Sequence, residues 1–272
     1  MSRIEKALEN AIRRREPSAD SDALPDNDPA VQPLKPSNPN IIGFDDHAPI
    51  AEEYKKLRSM ILHMTKRKEN HNTIMVTSAD SGEGKSLTAI NLAIVLAQEY
   101  NHTVLLIDAD LRRPSLHGYL GLQPAPGLTD CLVDGIDVSR ALIKAGTPRL
   151  SFLAAGKPAS NPAELLSSNK MRSLVHEIKG RYRDRYVIID TPPVLAFAET
   201  HAMSSYVDGI LFVVKEGSSS SSVLAALDLL QGGKVLGIVY NNVSAERKGG
   251  RYSHYYHYYY NQQRNEAETT KE

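Results

Sequence analysis

The chain has 272 residues, enough for one α/β domain with additional arms. Lys plus Arg and Asp plus Glu each number 32, so no global field favours nucleic acid or an anionic membrane. The single cysteine, Cys131, excludes an internal disulfide framework and fits a reducing cytoplasm. Lacking a thiol-catalyst motif around it, Cys131 reads as buried filler. No apolar run approaches the roughly 20 residues of a bilayer span, and the start has no apolar signal region. A soluble chain is expected, with any membrane role supplied by a partner.

Residues 1–16 read as an amphipathic N-terminal helix. Ser2 and Glu5 have capping-box spacing, and Ile4, Leu8, Ala11 and Ile12 share a face. Arg13, Arg14 and Arg15 then sit at the end favoured by the helix dipole. Residues 17–49, with recurrent Pro, Asp, Asn and Ser, read as an extended linker. A second helix is expected from about Ile50, with Ile50, Tyr54, Leu57 and Ile61 on one face. Strand patterns then alternate with helix patterns, at 73–78, 103–108, 150–154, 186–190, 209–214 and 235–240. Most are continuous apolar runs, as in Val104 to Ile107 and Tyr186 to Ile189, which suit a parallel sheet covered on both faces. The pattern predicts a doubly wound α/β domain over 50–246, with ligands at the carboxyl ends of its strands. Residues 247–272 are polar and tyrosine-rich, without helical periodicity, and are expected to form a mobile tail.

The first strand runs into Ala79-Asp80-Ser81-Gly82-Glu83-Gly84-Lys85-Ser86, then the apolar-periodic stretch from Leu87 to Tyr100. Strand, glycine-bearing turn and helix start form a phosphate cradle. Gly82 and Gly84 let the backbone curl so that its amides point inward, and the helix N-terminus adds partial positive charge. Lys85 is placed to reach the β- and γ-phosphates and Ser86 to ligate Mg²⁺. Nucleotide binding is therefore assigned to Ser81, Gly82, Glu83, Gly84, Lys85, Ser86 and Leu87. Against the template G-x-x-x-x-G-K-[ST], Ala79 replaces the first glycine.

Two further strands end in aspartate: Val104 to Ile107 in Asp108-Ala109-Asp110, and Tyr186 to Ile189 in Asp190-Thr191-Pro192-Pro193. In a parallel sheet such carboxylates converge beside the phosphate loop, where Mg²⁺ needs oxygen ligands and an attacking hydroxyl needs a base. Capping of the following turns is the alternative, and it is weakened by finding two such aspartates alongside Lys85-Ser86.

The tail holds Tyr252, Tyr255, Tyr256, Tyr258, Tyr259 and Tyr260, nearly half of the chain's 13 tyrosines. Phosphate acceptors, a stacking surface and a metal tract with His254 and His257 compete as explanations. Acceptors are favoured, because a tail leaving the last strand starts near the rim that holds the phosphates. An extended segment covers about 3.3 Å per residue, enough to reach a neighbour's nucleotide.

These features together resemble the bacterial tyrosine autokinases (BY-kinases), P-loop kinases of capsule and exopolysaccharide export. Ala79 to Ser86 resembles their Walker A, Val104 to Pro114 their Walker A′, Val187 to Pro193 their Walker B, and Tyr252 to Tyr260 their tyrosine cluster. The resemblance implies a MinD/ParA-like P-loop fold and an ATP- and Mg²⁺-dependent kinase that phosphorylates its own tail in trans. It implies catalytic roles for Lys85, Asp108, Asp110 and Asp190, with Asp108 as metal-linked base and Ser86, Asp108 and Asp190 around the metal. Asn241 or Asn242, after the last strand, is the implied adenine contact. Glu52, Lys55 and Arg58 match a self-association helix of the family, with Lys55 in place of an arginine. Implied partners are further copies of the chain in a ring-like assembly, a transmembrane chain-length-regulator-like activator and a tyrosine phosphatase. No nucleic-acid partner is implied, and the expected location is cytoplasmic, at the membrane's inner face through the activator. The alternatives are a MinD/ParA-like ATPase, disfavoured by Asp80 where those relatives carry lysine, and a nucleotide-binding scaffold without turnover.

Overall fold

The structure, a computed structural model, describes residues 30–44, 49–65, 71–123, 125–181 and 184–244. The N-terminal helix expected at 1–16, the first part of the linker and the whole tyrosine cluster lie outside them. The elements described belong to the compact unit Val31–Glu272. In chain order they are β1 (Val31–Gln32), α1 (Pro49–Thr65), β2 (Thr73–Ser78), α2 (Lys85–Ala97), β3 (Thr103–Asp108), α3 (Leu116–Leu120), α4 (Leu128–Asp134) and α5 (Val138–Ala141). There follow β4 (Leu142–Ala145), β5 (Leu150–Leu153), α6 (Pro162–Leu166), α7 (Asn169–Arg181), β6 (Arg185–Asp190), α8 (Ala198–Ser204), β7 (Gly209–Lys215), α9 (Ser220–Leu229) and β8 (Val235–Asn241).

The strands form one sheet in the order β1-β4-β5-β3-β6-β2-β7-β8, parallel except for the β4–β5 pair. Apolar side chains leave both faces of the central strands. Ile74, Val76, Val104, Leu106 and Ile188 pack on one side under α1 and α2. Met75, Leu105, Ile107, Val187 and Ile189 pack on the other with residues of α4, α6, α7 and α9. Two buried layers on one sheet explain why these strands read as unbroken apolar runs, and they bear out the doubly wound reading. Helix α2 is enclosed almost throughout, with Thr88 to Ala97 all buried.

Three local expectations change. The segment read as linker up to residue 49 is packed over part of its length. Ile41 and Ile42 are buried, and the Asn91 side chain clamps the chain by accepting from Ile42 N at 3.0 Å and donating to Asn40 O at 2.9 Å. In α1 the inward stripe is Ala51, Tyr54, Ile61 and Thr65, while Ile50 is 38% exposed. At about 100° per residue, Ile50 falls off a stripe that the small Ala51 completes. Finally, β1 and β4 carry no apolar run. β4 forms because the chain reverses through Gly146, at φ +71°, and lies antiparallel on β5 with Leu142 opposite Leu153.

Cys131 is buried, and burial followed by the charge of Asp130 pushes its thiol up to about 11, so it stays protonated and inert. Among the described residues no helix is long and apolar enough to cross a membrane.

Candidate active site

The sheet fixes the site through its register. β2 ends in the glycine turn, β6 lies beside it, and β3 lies beside β6 with Asp108 directly opposite Asp190. The turn is built by positive-φ glycines, Gly82 at +79° and Gly84 at +93°. Open space surrounds a Cβ placed on Gly82, whereas one on Gly84 would lie 2.0 Å from the Asn241 amide nitrogen. That close approach has a use, because Asn241 Nδ2 donates to the Glu83 carbonyl at 2.9 Å. Glu83 itself is buried and turned into the loop, accepting from Asp80 N at 2.9 Å and from the Ser218 hydroxyl. The phosphate loop is thus braced from the ends of both β7 and β8 before any ligand arrives.

Lys85 and Ser86 open α2 below this loop. Lys85 Nζ donates to Asp110 Oδ2 at 3.0 Å and lies 3.9 Å from Asp190 Oδ1. The Ser86 hydroxyl donates to Asp190 Oδ2 at 2.7 Å. Asp190 has no exposure, and its Oδ1 has no hydrogen-bond partner. Asp108 is equally enclosed and accepts from the backbone amides of Asp110 at 3.2 Å, Ser115 at 3.1 Å and Leu116 at 3.0 Å. It therefore organises the Asp110–Leu116 turn while facing Asp190 across the strands.

Crowding of these charges sets their proton affinities. Burial, then the Asp190 charge, pushes Asp108 up to about 7 against the pull of the Leu116 and Ser115 amides. Burial also raises Asp190 to about 6, opposed by Lys85 and Ser86. Burial alone would lower the Lys85 ammonium, but Asp190, Asp110 and Asp108 together hold it above its ordinary value. A lysine at a helix N-terminus among buried carboxylates, with one oxygen left without a hydrogen bond, is an arrangement completed by phosphate and a cation.

The donors also fit a particular kind of metal. Ser86, Asp108, Asp110 and Asp190 offer only oxygen, the preference of Mg²⁺. No three His, Cys, Asp or Glu side chains among the described residues form a self-sufficient metal cage. Mg²⁺ held by one or two protein oxygens plus substrate phosphates needs no such cage.

With this geometry in place the comparisons are informative. Residues 74–260 match the CobQ/CobB/MinD/ParA nucleotide-binding domain. The tyrosine-protein kinase YwqD of Bacillus subtilis is 38% identical over 175 residues, covering 64% of this chain and 72% of that protein. The chain belongs to the bacterial tyrosine-protein kinases. The putative tyrosine-protein kinase CapB of Staphylococcus aureus is 30% identical, covering 75% of this chain and 89% of its own length. The chain spans only 31% of the tyrosine-protein kinase ptk of Acinetobacter johnsonii, at 33% identity. Among solved structures, the kinase domain of the Escherichia coli tyrosine kinase ETK superposes with a TM-score of 0.67 at 28% identity, covering 76% of this chain and 84% of that one.

Within this kinase fold the residues anticipated from sequence divide into groups. Lys85, Ser86, Asp108, Asp110 and Asp190 are brought together, with Ser81, Gly82, Glu83, Gly84 and Leu87 forming the adjoining turn and helix start. Asn241 is committed to the loop. Asn242 is exposed at the end of β8, with a left-handed φ of 55°. On α1, Glu52 pairs with Lys55 at 2.7 Å, while Arg58 turns inward to Val95 O at 2.9 Å and Glu99 at 3.0 Å. The tyrosine cluster lies outside the described residues.

Sequence reading missed one cluster altogether. Arg112 donates through Nε to Glu199 at 2.6 Å and stacks 4.5 Å from the centroid of Phe197. Glu199 is 1% exposed, whereas the Arg112 side chain is 36% exposed. A buried carboxylate and an aromatic face thus hold a guanidinium at the mouth of the site. Glu199 carries no motif, so only the fold reveals it.

Proposed function

We propose that the chain is an ATP-dependent protein-tyrosine kinase whose acceptors are Tyr252, Tyr255, Tyr256, Tyr258, Tyr259 and Tyr260 of a second copy. The observation that carries this reading is the convergence of Lys85, Ser86 and three aspartates on one rim, in a chain that carries a tyrosine run at 252–260. Its relatives' names as tyrosine-protein kinases support it.

The tyrosyl oxygen attacks the γ-phosphorus, the bond from that phosphorus to the β,γ-bridging oxygen breaks, and ADP leaves. Lys85, moving from Asp110 onto the phosphates, offsets their charge, and the loop amides from Ser81 to Leu87 position them. Asp108 takes the phenolic proton. Asp110 holds Lys85 between turnovers and accepts from Arg113 N within the turn that Asp108 organises. Ser86, Asp108 and Asp190 would hold Mg²⁺, which when bound would supply positive charge to offset that of the phosphates. Asn242 is the proposed adenine contact, Asn241 being committed to the loop.

Each phosphate adds about −1.5 to −2 charge, so a modified tail repels neighbouring copies. In this reading phosphorylation disassembles a ring-like oligomer formed through Glu52, Lys55 and Arg58. A phosphatase restores it, and a transmembrane chain-length-regulator-like protein activates the kinase at the cytoplasmic face, so that exopolysaccharide or capsule export is regulated.

The test is mass spectrometry of the purified chain after incubation with Mg-ATP. Phosphotyrosine within 252–260 that disappears in Lys85→Met, with circular dichroism unchanged, is the expected result. Steady ADP release without phosphotyrosine would overturn the reading.

A further inference from the structure

The phosphate loop contains a group that phosphate binding alone does not call for. Glu83 puts a carboxylate into a turn built to receive phosphate, where a like charge works against the ligand. At 4% exposure, it is not simply directed into solvent. It is held by three bonds instead. Oε2 accepts from Asp80 N at 2.9 Å, Oε1 accepts from the Ser218 hydroxyl, and the Glu83 carbonyl accepts from Asn241 Nδ2 at 2.9 Å. The first bond closes the loop on itself, and the other two tie it to the sheet.

Both ties rest on rigid ground. β7 pairs with β2, with Val213 opposite Ser78, so the turn after β7 lies beside the start of the loop. Ser218 N donates to Lys215 O at 3.0 Å, and Gly217, at φ +86°, lets that turn reverse tightly. β8 pairs with β7, with Asn241 opposite Lys215, and Glu216 N donates to Asn241 O at 3.0 Å. Ser218 and Asn241 therefore stand on one hydrogen-bonded base. A loop that must converge several amides on a phosphate loses affinity if binding has to order it first. A carboxylate offers two oxygens, one for Asp80 N and one for Ser218, which is what an anchor between loop and sheet requires.

We infer that Ser218 and Asn241 are positioning residues of the kinase: acting through Glu83, they hold the phosphate loop in the curvature that receives a nucleotide's phosphates. Both act on the loop, not on the reacting atoms. The inference deepens the kinase reading and rests on its assignment of the nucleotide to this loop.

The test reads nucleotide binding apart from turnover. Mg-ADP is titrated calorimetrically onto the full-length chain and its variants. Ser218→Ala should bind about five- to tenfold more weakly, as for the loss of one ordering hydrogen bond, and Ser218→Thr, which keeps the hydroxyl, should stay within about twofold of wild type. Asn241→Ala should weaken binding similarly, and the two losses should not multiply in the double variant, because both act through Glu83. Glu83→Gln can still accept from Asp80 N while its amide donates to the Ser218 oxygen, so it should bind Mg-ADP at least as tightly as wild type, whereas Glu83→Ala should not. In turnover, the KM for ATP of Ser218→Ala should rise by a similar factor, with kcat falling less. Unaltered affinity in Ser218→Ala, equal losses in Ser218→Ala and Ser218→Thr, or a fall in kcat without a rise in KM would overturn the brace. The expected binding pattern in a chain that forms no phosphotyrosine would sustain the brace and refute the kinase reading instead.

Discussion

With no solvent exposure and an oxygen lacking a hydrogen bond, the Asp190 carboxylate is a liability to the ligand-free protein. Its folded proton affinity, about 6, exceeds the ordinary carboxylate value of 3.8, so between these values the folded state binds more protons than the unfolded state. Stability therefore falls as pH rises through that window, and the cost is fully present above it. In chelator and without nucleotide, Asp190→Asn should melt higher than the wild-type chain at pH 8, by roughly 1–3 kcal/mol of added stability. The advantage should shrink at pH 5, where Asp190 is largely protonated. Equal gains at both pH values, from thermal melts, would show that charge burial is not the cause. The residues bearing this strain were legible because each ends a strand or begins a helix next to one. The inward turn of Glu83, which the sequence placed in the loop, and the whole of Glu199 were not, since Ser218 and Arg112 reach them across 135 and 87 residues of sequence, and periodicity carries no such information.

At the scale of the element, α1 shows how a surface motif acquires a second duty. Its Glu52–Lys55 pair is an exposed i,i+3 contact, worth a few tenths of a kcal/mol. Arg58, 18% exposed, instead donates to Val95 O in the last turn of α2 and pairs with Glu99 just beyond it. Those contacts satisfy a carbonyl at a helix end and complement its dipole. Arg58→Ala should therefore cost about 1–3 kcal/mol in urea unfolding, and Glu52→Ala less than about 0.5 kcal/mol. Matching losses for the two would contradict this division. An oligomerisation defect in an Arg58 variant therefore needs a stability measurement beside it, whereas Glu52 probes self-association cleanly. Helix α1 itself was legible from its apolar period, with Tyr54, Leu57 and Ile61 inward as read, but Ala51 rather than Ile50 starts that face, because Ala51 packs closely without announcing itself as hydrophobic. The strands β1 and β4 escaped notice for a related reason. Each is short, and tertiary pairing rather than residue type makes it a strand.

For the whole molecule, sheet order decides how far the tail must travel. β8 is an edge strand, separated from β6 by β2 and β7, and the chain beyond Asn241 leaves from the same rim as the phosphate loop. Three strand spacings, about 14 Å, lie between that exit and β6. The eight residue steps from Ser244 to Tyr252 extend to about 26 Å, so length alone permits a tail to enter its own site or a neighbour's. Complementation separates the two. A chain truncated after Ser244 keeps every element of the sheet and its site but has no acceptor, while full-length Lys85→Met has acceptors and no phosphate-binding lysine. Neither should accumulate phosphotyrosine alone with Mg-ATP. Mixed, they should phosphorylate the Lys85→Met chain at an initial rate per enzyme that rises with its concentration, read by phosphotyrosine immunoblot. A silent mixture, beside a wild-type chain that labels itself at a rate independent of dilution, would place the reaction within one molecule and remove the basis for coupling phosphorylation to assembly.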